Sequence, residues 1–230
     1  MCIIINAGVG GNNTRALLAR VDTDVLFPRP STVIMMIGTN DALNSGALVP
    51  FDEYRENLDA LVTRMANDRI RVLLATIAPF HLPALMTRHR IESYGDILPT
   101  QRHSTINSII RDTAKARALP LAEINAALSV LGNIGEEPNC VLRNIANSGM
   151  ADGVHPTAAG YAMIAALMYQ VIRDHRLPTD KIVCFGDSIT FGTAMPGQGT
   201  STGTTYPARL AELLRSAPTD RLAGDVATNQ

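Results

Sequence analysis

Residues 181–192 read KIVCFGDSITFG: apolar side chains from Ile182 to Phe185 run into Gly186 and then into Asp187-Ser188. A short run that is apolar at every position suits a strand buried on both faces, as in a parallel sheet. The glycine ends the run, and the polar pair after it falls at the carboxyl edge of the sheet, where such folds bind ligands. Ser188 is therefore a candidate nucleophile. A serine hydroxyl is inert without an adjacent base, and Ser188 comes late in a chain of 230 residues. Its partners must be sought upstream.

Four more runs have the same character: Cys2–Ile5, Thr32–Ile37, Arg71–Ile77 and the weaker Leu119–Ala122. Between them the apolar residues recur at helical spacing. Tyr54, Leu58, Leu61, Val62 and Met65 share a face of a helix predicted over 52–67, with Asp52 as its N-cap. Ile106, Ile109, Ile110 and Thr113 give a second stripe. A third, after Pro156, holds Tyr161, Ile164, Ala165, Met168, Val171 and Ile172. A fourth helix starts near Pro207 with Leu210, Leu213 and Leu214, and a shorter one follows Asn13. Strands alternating with helices predict an α/β sandwich, helices covering both faces of a five-stranded parallel sheet in one domain over 1–230. Two irregular segments, 79–99 and 192–207, follow strands and should overhang the carboxyl edge. The tail from Ala217 reads as a surface loop.

Charge excludes several partner classes. Twenty Lys and Arg stand against 21 Asp and Glu, a net charge of −1, with no basic stripe. Nucleic acid and anionic membrane surfaces are not expected partners. Cys2, Cys140 and Cys184 lack metal-ligand spacing and are odd in number, so neither a metal site nor a disulfide framework is expected. No run approaches the roughly 18 apolar residues of a membrane span. The first residues lack a signal pattern, and a cytoplasmic location is the expectation.

Three further segments place polar groups beside strand ends or helix starts. NAGVGGNNT (6–14) is a glycine-rich turn after the first strand. Read as a dinucleotide fingerprint from Gly8 and Gly10, it puts Asn13 where a third glycine belongs, and no acidic residue closes the second strand. Glycine there can instead leave a backbone N–H open to a ligand. IGTND brings Asn40 out of a buried strand, either to stabilise a turn or to serve a ligand. ADGVHPTAAGY (151–161) sets Asp152 three residues before His155, a spacing at which a tight turn brings carboxylate against imidazole. Alternatively Asp152 or Thr157 caps the following helix and His155 lies at the surface. The histidines at 81, 89, 103 and 175 read as solvated, although His81 and His89 fall in the long loop and could touch substrate.

Together these groups fill every role of acyl transfer. Ser188 would attack, His155 take its proton, and Asp152 fix the imidazole. The Gly11 N–H, the Asn40 side chain and the Ser188 N–H are available for the oxyanion. Asp187, Phe80 and His81 are the candidates for contacting substrate.

GDSIT, NAGVGG, GTND and DGVHP resemble the four sequence blocks of the SGNH (GDSL-type) serine hydrolases. The resemblance implies Ser188 as nucleophile, Gly11 and Asn40 as oxyanion donors, and Asp152 and His155 as acid and base. It also implies a flavodoxin-like three-layer α/β/α fold and hydrolysis of a small acyl ester with no metal or organic cofactor. The acyl ester could equally be a carbohydrate acetate or a thioester, and a non-catalytic binding module of the same fold is the non-enzyme alternative. Here the blocks run Gly, Asn, Asp-x-x-His, Ser, whereas the family puts the Ser block first. The chain thus resembles a circular permutant in which 181–230 correspond to the family's N-terminal segment. That order predicts a sheet of 1-5-2-3-4 in this chain's numbering, with the last strand between the first two.

Overall fold

The computed structural model describes residues 2–216, so the tail expected from Ala217 lies outside the described residues. In chain order the elements are β1 (Ile3–Gly8), α1 (Thr14–Val21), β2 (Thr32–Met36), α2 (Thr39–Leu43), α3 (Phe51–Asn67) and β3 (Arg71–Ala75). They continue with α4 (Leu82–Leu85), α5 (Pro99–Ala116), β4 (Leu121–Ala122), α6 (Ile124–Leu131), α7 (Ile145–Ser148) and α8 (Ala158–Asp174). β5 (Lys181–Gly186), α9 (Ser188–Phe191) and α10 (Tyr206–Ser216) follow.

The five strands form one parallel sheet in the order β1-β5-β2-β3-β4, the order expected from the sequence. Because successive side chains of a strand point to opposite faces, the apolar runs supply two cores. Val183 and Phe185 of β5 join Val33, Met35, Val72 and Leu74 under α1, α3 and α5. Ile182 and Cys184 join Ile34, Met36, Leu73 and Ala75 under α6, α8 and α10. Both faces are dry, which is why these strands read as continuous apolar runs rather than alternating ones.

Register fixes what lies at the edge. β5 pairs with β1 from Ile3↔Lys181 to Gly8↔Gly186 and with β2 from Thr32↔Ile182 to Met36↔Gly186. Gly8, Gly186 and Met36 therefore end level with one another. The turn after β1, the Asp187-Ser188 pair and α2 leave the sheet side by side.

Several boundaries depart from the sequence reading. α3 begins at Phe51 behind Pro50, so Asp52 lies in its first turn rather than at the N-cap. There its carboxylate still meets the positive end of the helix dipole. β1 runs on to Gly8 through the polar Asn6, whose Oδ1 accepts the Gly8 N–H at 3.0 Å. The 79–99 segment holds α4 and a single 3₁₀ turn, Ile91–Tyr94. α6 went unread because its eight residues bury only Ile124 and Leu128, too few to mark a stripe. β4, the weakest apolar run, has two residues in the ladder.

Phe185 is fully buried in the interior strand β5, beneath the residues that carry Ser188. Phe185→Ala should lower unfolding free energy by about 3–5 kcal/mol, as truncations of buried aromatics do. Urea unfolding of the two proteins measures it, and a change under about 1 kcal/mol would mean that β5 is not packed as described.

Candidate active site

Ser188 opens α9 directly after β5. The chain turns there with its backbone pressed against neighbours: a Cβ on Gly186 would sit 2.3 Å from Thr190 Oγ1 and 2.5 Å from the Met36 carbonyl. Only glycine allows that approach. Asp187 caps the turn, its Oδ1 accepting the Ile189 N–H at 2.9 Å.

The DGVHP turn is built around its own carboxylate. Asp152 Oδ1 accepts the backbone N–H groups of Val154 (3.1 Å) and His155 (3.0 Å), an Asx-type turn that returns the chain on itself. Gly153, at φ 69°, supplies the left-handed residue between them. The imidazole is thereby laid against the carboxylate, with Nδ1 2.9 Å from Oδ2 and 3.0 Å from Oδ1. Its Nε2 lies 2.9 Å from Ser188 Oγ. With the Nδ1 proton donated to Asp152, Nε2 is left to accept the Ser188 hydroxyl proton.

Burial on its own would raise the Asp152 pKa. The hydrogen bond and charge of His155, with the two backbone N–H donors, outweigh it and hold the carboxyl down at about 2. Two guanidiniums stand farther off, Arg143 Nη1 at 3.5 Å and Arg88 Nη2 at 3.6 Å.

Asn40 lies in the first turn of α2. Its Nδ2 donates to the Asn12 carbonyl (2.9 Å) and its Oδ1 accepts from Asn44 Nδ2 (3.1 Å), so the amide is held at both ends with one N–H to spare. Gly11 occupies the exposed third position of a turn closed by the Asn12 N–H on the Val9 carbonyl (3.3 Å), at φ 77°. That is the conformation a type II turn demands there. Asn40, His155 and Ser188 face one cavity of about 70 Å³, and Gly11 stands outside its lining, one residue from the Asn12 carbonyl that holds Asn40.

The three residues expected to contact substrate are not in that lining. Asp187 is buried and spent on capping α9. Phe80 packs against His103 with the rings tilted at 56° and centroids 5.2 Å apart. His81 faces a separate cavity of about 490 Å³ with Pro83, Thr87 and Ile145. Tyr94 and Tyr206 are buried and offer no exposed ring on which a sugar could stack. His103 is no solvated residue either: it is buried, with Nε2 2.8 Å from the Ala78 carbonyl. Leu43, Leu85 and Val154 form the apolar wall of the Ser188 cavity, and Asn44, Arg88 and His89 the polar one. Among the described residues no group of three His, Cys, Asp or Glu is arranged to hold a metal ion, and no helix is long and apolar enough to cross a membrane.

Sequence reasoning missed Arg20. Its Nη1 donates to the Ala7 carbonyl (2.9 Å) and to Asp24 Oδ2 (2.6 Å), its Nη2 to the Gly186 carbonyl (2.8 Å), and its Nε to Asn12 Oδ1 (2.7 Å). The guanidinium also lies 4.6 Å over the Phe185 ring. One side chain thus ties the ends of β1 and β5 to the turn that holds Asn40.

Two more acids lie beneath the site. Asp41 accepts from Thr14 N (2.9 Å) and Thr14 Oγ1 (2.6 Å), and Asp187 from Ile189 N. Burial pushes both carboxyls up to about 6. Between the ordinary carboxyl value of 3.8 and about 6 the folded protein holds protons that the unfolded chain has shed, so these groups lower stability as pH rises. Asp152 acts oppositely, contributing stability that is lost as pH falls from 3.8 to about 2. The doubly substituted Asp41→Asn, Asp187→Asn protein should therefore show a flatter stability profile than wild type between about pH 4 and 6. Denaturant unfolding at several pH values tests this, and an unchanged slope would rule the two acids out.

The model of the GDSL-like lipase/acylhydrolase family matches residues 3–163. The uncharacterized lipoprotein YqeF of Bacillus subtilis (strain 168) is 29% identical over 186 residues, 76% of this chain and 73% of the relative. An acetylxylan esterase of Geobacillus stearothermophilus is 28% identical over 173 residues, 70% of this chain and 68% of the relative. The crystal structure of a lipase/acylhydrolase from Enterococcus faecalis shares the fold, with a TM-score of 0.55, 22% identity and 74% of each chain covered.

Proposed function

The chain belongs to the GDSL-like lipase/acylhydrolase family, and we propose that it hydrolyses short-chain carboxylic esters through an acyl-enzyme on Ser188. The observation that carries this reading is the unbroken relay from the Asp152 carboxylate through His155 to Ser188 Oγ. His155 Nε2 takes the hydroxyl proton as Oγ bonds to the ester carbonyl carbon. The carbonyl oxygen becomes an oxyanion, received by the spare Asn40 N–H and the Ser188 N–H in the cavity lining; the Gly11 N–H, outside that lining, is a third donor on the strength of the family blocks alone. As the tetrahedral centre collapses, the C–O bond to the alcohol breaks and the proton on Nε2 goes to the leaving oxygen. Water then attacks the acyl-enzyme, its proton passing to His155 and on to Ser188 Oγ as the acid departs. Asp152, ionised down to about pH 2, stabilises the imidazolium formed in each half.

The cavity favours small acyl groups. At about 70 Å³ it is far below the roughly 300–1,000 Å³ of pockets that enclose drug-sized ligands. The apolar wall of Leu43, Leu85 and Val154 suits a methyl or ethyl group. A narrower reading, de-O-acetylation of carbohydrate, is favoured by the similarity to an acetylxylan esterase and by the polar residues Asn44, Arg88 and His89 in the lining.

Ser188→Ala should lower kcat on 4-nitrophenyl acetate by about four orders of magnitude or more in a folded protein. Asp152→Asn should cost about 10³–10⁴-fold and Asn40→Ala about 10²–10³-fold. A fluorophosphonate probe should label Ser188 alone. Wild-type turnover by Ser188→Ala would exclude the mechanism.

We also read residues 181–230 as the counterpart of the family's N-terminal segment within a single domain over 1–230. Its supports are the block order, the family match that ends at residue 163 before Ser188, and the seat of β5 between β1 and β2. Arg215, late in α10, lies close enough to Cys2 for its charge to act on the thiol, so a short link could join them. A relinked chain in which 181–216 precede residue 2 should unfold cooperatively and keep its ester turnover. Failure to fold with linkers of several lengths would count against the correspondence.

A further inference from the structure

The chain between β3 and α5 lies along the cavity, and through α4 and the residues after it brings Leu85, Arg88 and His89 to its wall, beside Ser188 and Asn40. The polar side chains of the lining are held in different ways. Arg88 Nη2 donates to the Asp152 carbonyl at 2.7 Å. Asn44 Nδ2 donates to Asn40 Oδ1 at 3.1 Å, and its Oδ1 accepts the Gly46 N–H at 3.1 Å. His89 is committed on one side only, where Nδ1 lies 2.9 Å from Ser45 Oγ and accepts the Ser45 backbone N–H at 3.4 Å.

Both contacts are satisfied together when Nδ1 accepts, from the Ser45 hydroxyl and from the Ser45 N–H. A backbone N–H can only donate, so Nδ1 carries a lone pair, and the neutral ring has its proton on Nε2. Burial, with the positive charge of Arg88, pushes the His89 pKa below its ordinary value, which keeps the ring neutral. The ring is also braced edge-on against Tyr94, centroids 6.4 Å apart at 75°, and the Tyr94 hydroxyl is itself anchored on the Leu43 carbonyl. His89 is thus a fixed donor in the wall of the Ser188 cavity.

We propose that His89 is a substrate-binding residue whose Nε2–H donates to an oxygen of the alcohol half of the substrate, selecting acetyl esters of polyhydroxylated alcohols over esters of apolar or aromatic ones. The inference rests on the esterase reading above. The small apolar wall takes the acyl group, and His89 reads the hydroxyl-rich group that leaves. A donor so placed discriminates because a substrate without an acceptor displaces water from the N–H and leaves it unpaired.

The test compares kcat/KM on a mono-O-acetylated methyl xyloside and on 4-nitrophenyl acetate for wild type, His89→Ala and His89→Gln. His89→Ala should lose about tenfold more on the sugar acetate than on the aryl acetate, the scale of one hydrogen bond, with the loss mainly in KM. His89→Gln, whose amide nitrogen reaches the position of Nε2, should recover most of the difference. Equal losses on both esters, or a Gln variant no better than Ala, would overturn the proposal. So would a wild-type enzyme that turns over the aryl acetate and ignores the sugar acetate. A wild type inactive on both and unlabelled by the fluorophosphonate would sink the esterase reading itself. Should His89→Ala not fold, the Gln variant and Ser45→Ala, which loosens Nδ1, carry the same comparison.

Discussion

Everything at the candidate site depends on β5 being paired in parallel on both sides, to β1 and to β2, up to the same rung. A parallel strand that ends at a sheet's carboxyl edge leaves carbonyls pointing past the last ladder bond, and these need donors. Arg20 donates to the Ala7 carbonyl, adds a second donor to the Gly186 carbonyl beside the Val9 N–H, and reaches the Asn12 side chain as well. A guanidinium can do this because its donors are fixed in one fork; a lysine would reach one acceptor at a time. The cation rests on the Phe185 face and is neutralised by Asp24. The candidate nucleophile and the turn that positions Asn40 are thus held to a common reference, close to where a displacement of 1 Å would matter.

Three aspartates near Ser188 show how environment divides one residue type into different states. Asp152, Asp41 and Asp187 are all buried. Asp152 has donors on both oxygens, from two backbone N–H groups and an imidazole, and remains ionised. Asp41 and Asp187 each use Oδ1 and leave Oδ2 without a partner among the described residues. An ionised carboxylate half-supplied with donors is costly in the interior, and the proton is the cheaper remedy. Burial raises all three carboxyls, and only at Asp152 do the donors and the charge of His155 outweigh it, which fits that acid to stabilise an imidazolium.

This division explains what could be read from the sequence. The strands were legible because burial on both faces leaves a run apolar at each position, and the Asp152–His155 pair because its contact is local, three residues along a tight turn. Ser188, Asn40 and Gly11 were legible as candidates through the family blocks, whose order also gave the sheet order. Arg20 was not, since its partner Gly186 is 166 residues away and nothing in LLARVDTDV marks an arginine that turns inward. His89 was legible as a loop histidine able to touch substrate, but its bond to Ser45, 44 residues away in a segment without periodicity, was not. Asp187, Phe80 and His81 looked accessible because they follow strands, but a residue just past a strand can equally point down into the cap of the next turn.

The position of β5 is fixed at its entry as well as its exit. The segment leading from α8 is pinned to the start of β2, where Thr32 Oγ1 donates to the Pro178 carbonyl at 2.7 Å and Ser31 Oγ to the Lys181 carbonyl at 3.0 Å. Lys181 Nζ reaches back to the Pro28 carbonyl at 2.7 Å. With both ends held by side chains and both faces buried, the strand's seat is specified by contacts and not by its place in the chain. A one-residue slip would exchange Val183 and Phe185 with Ile182 and Cys184 between the two cores and carry Gly186 away from its close approach to Thr190. The Ser block can therefore come last in sequence and still lie between the first two strands, because the information that places it lies in its faces and its ends.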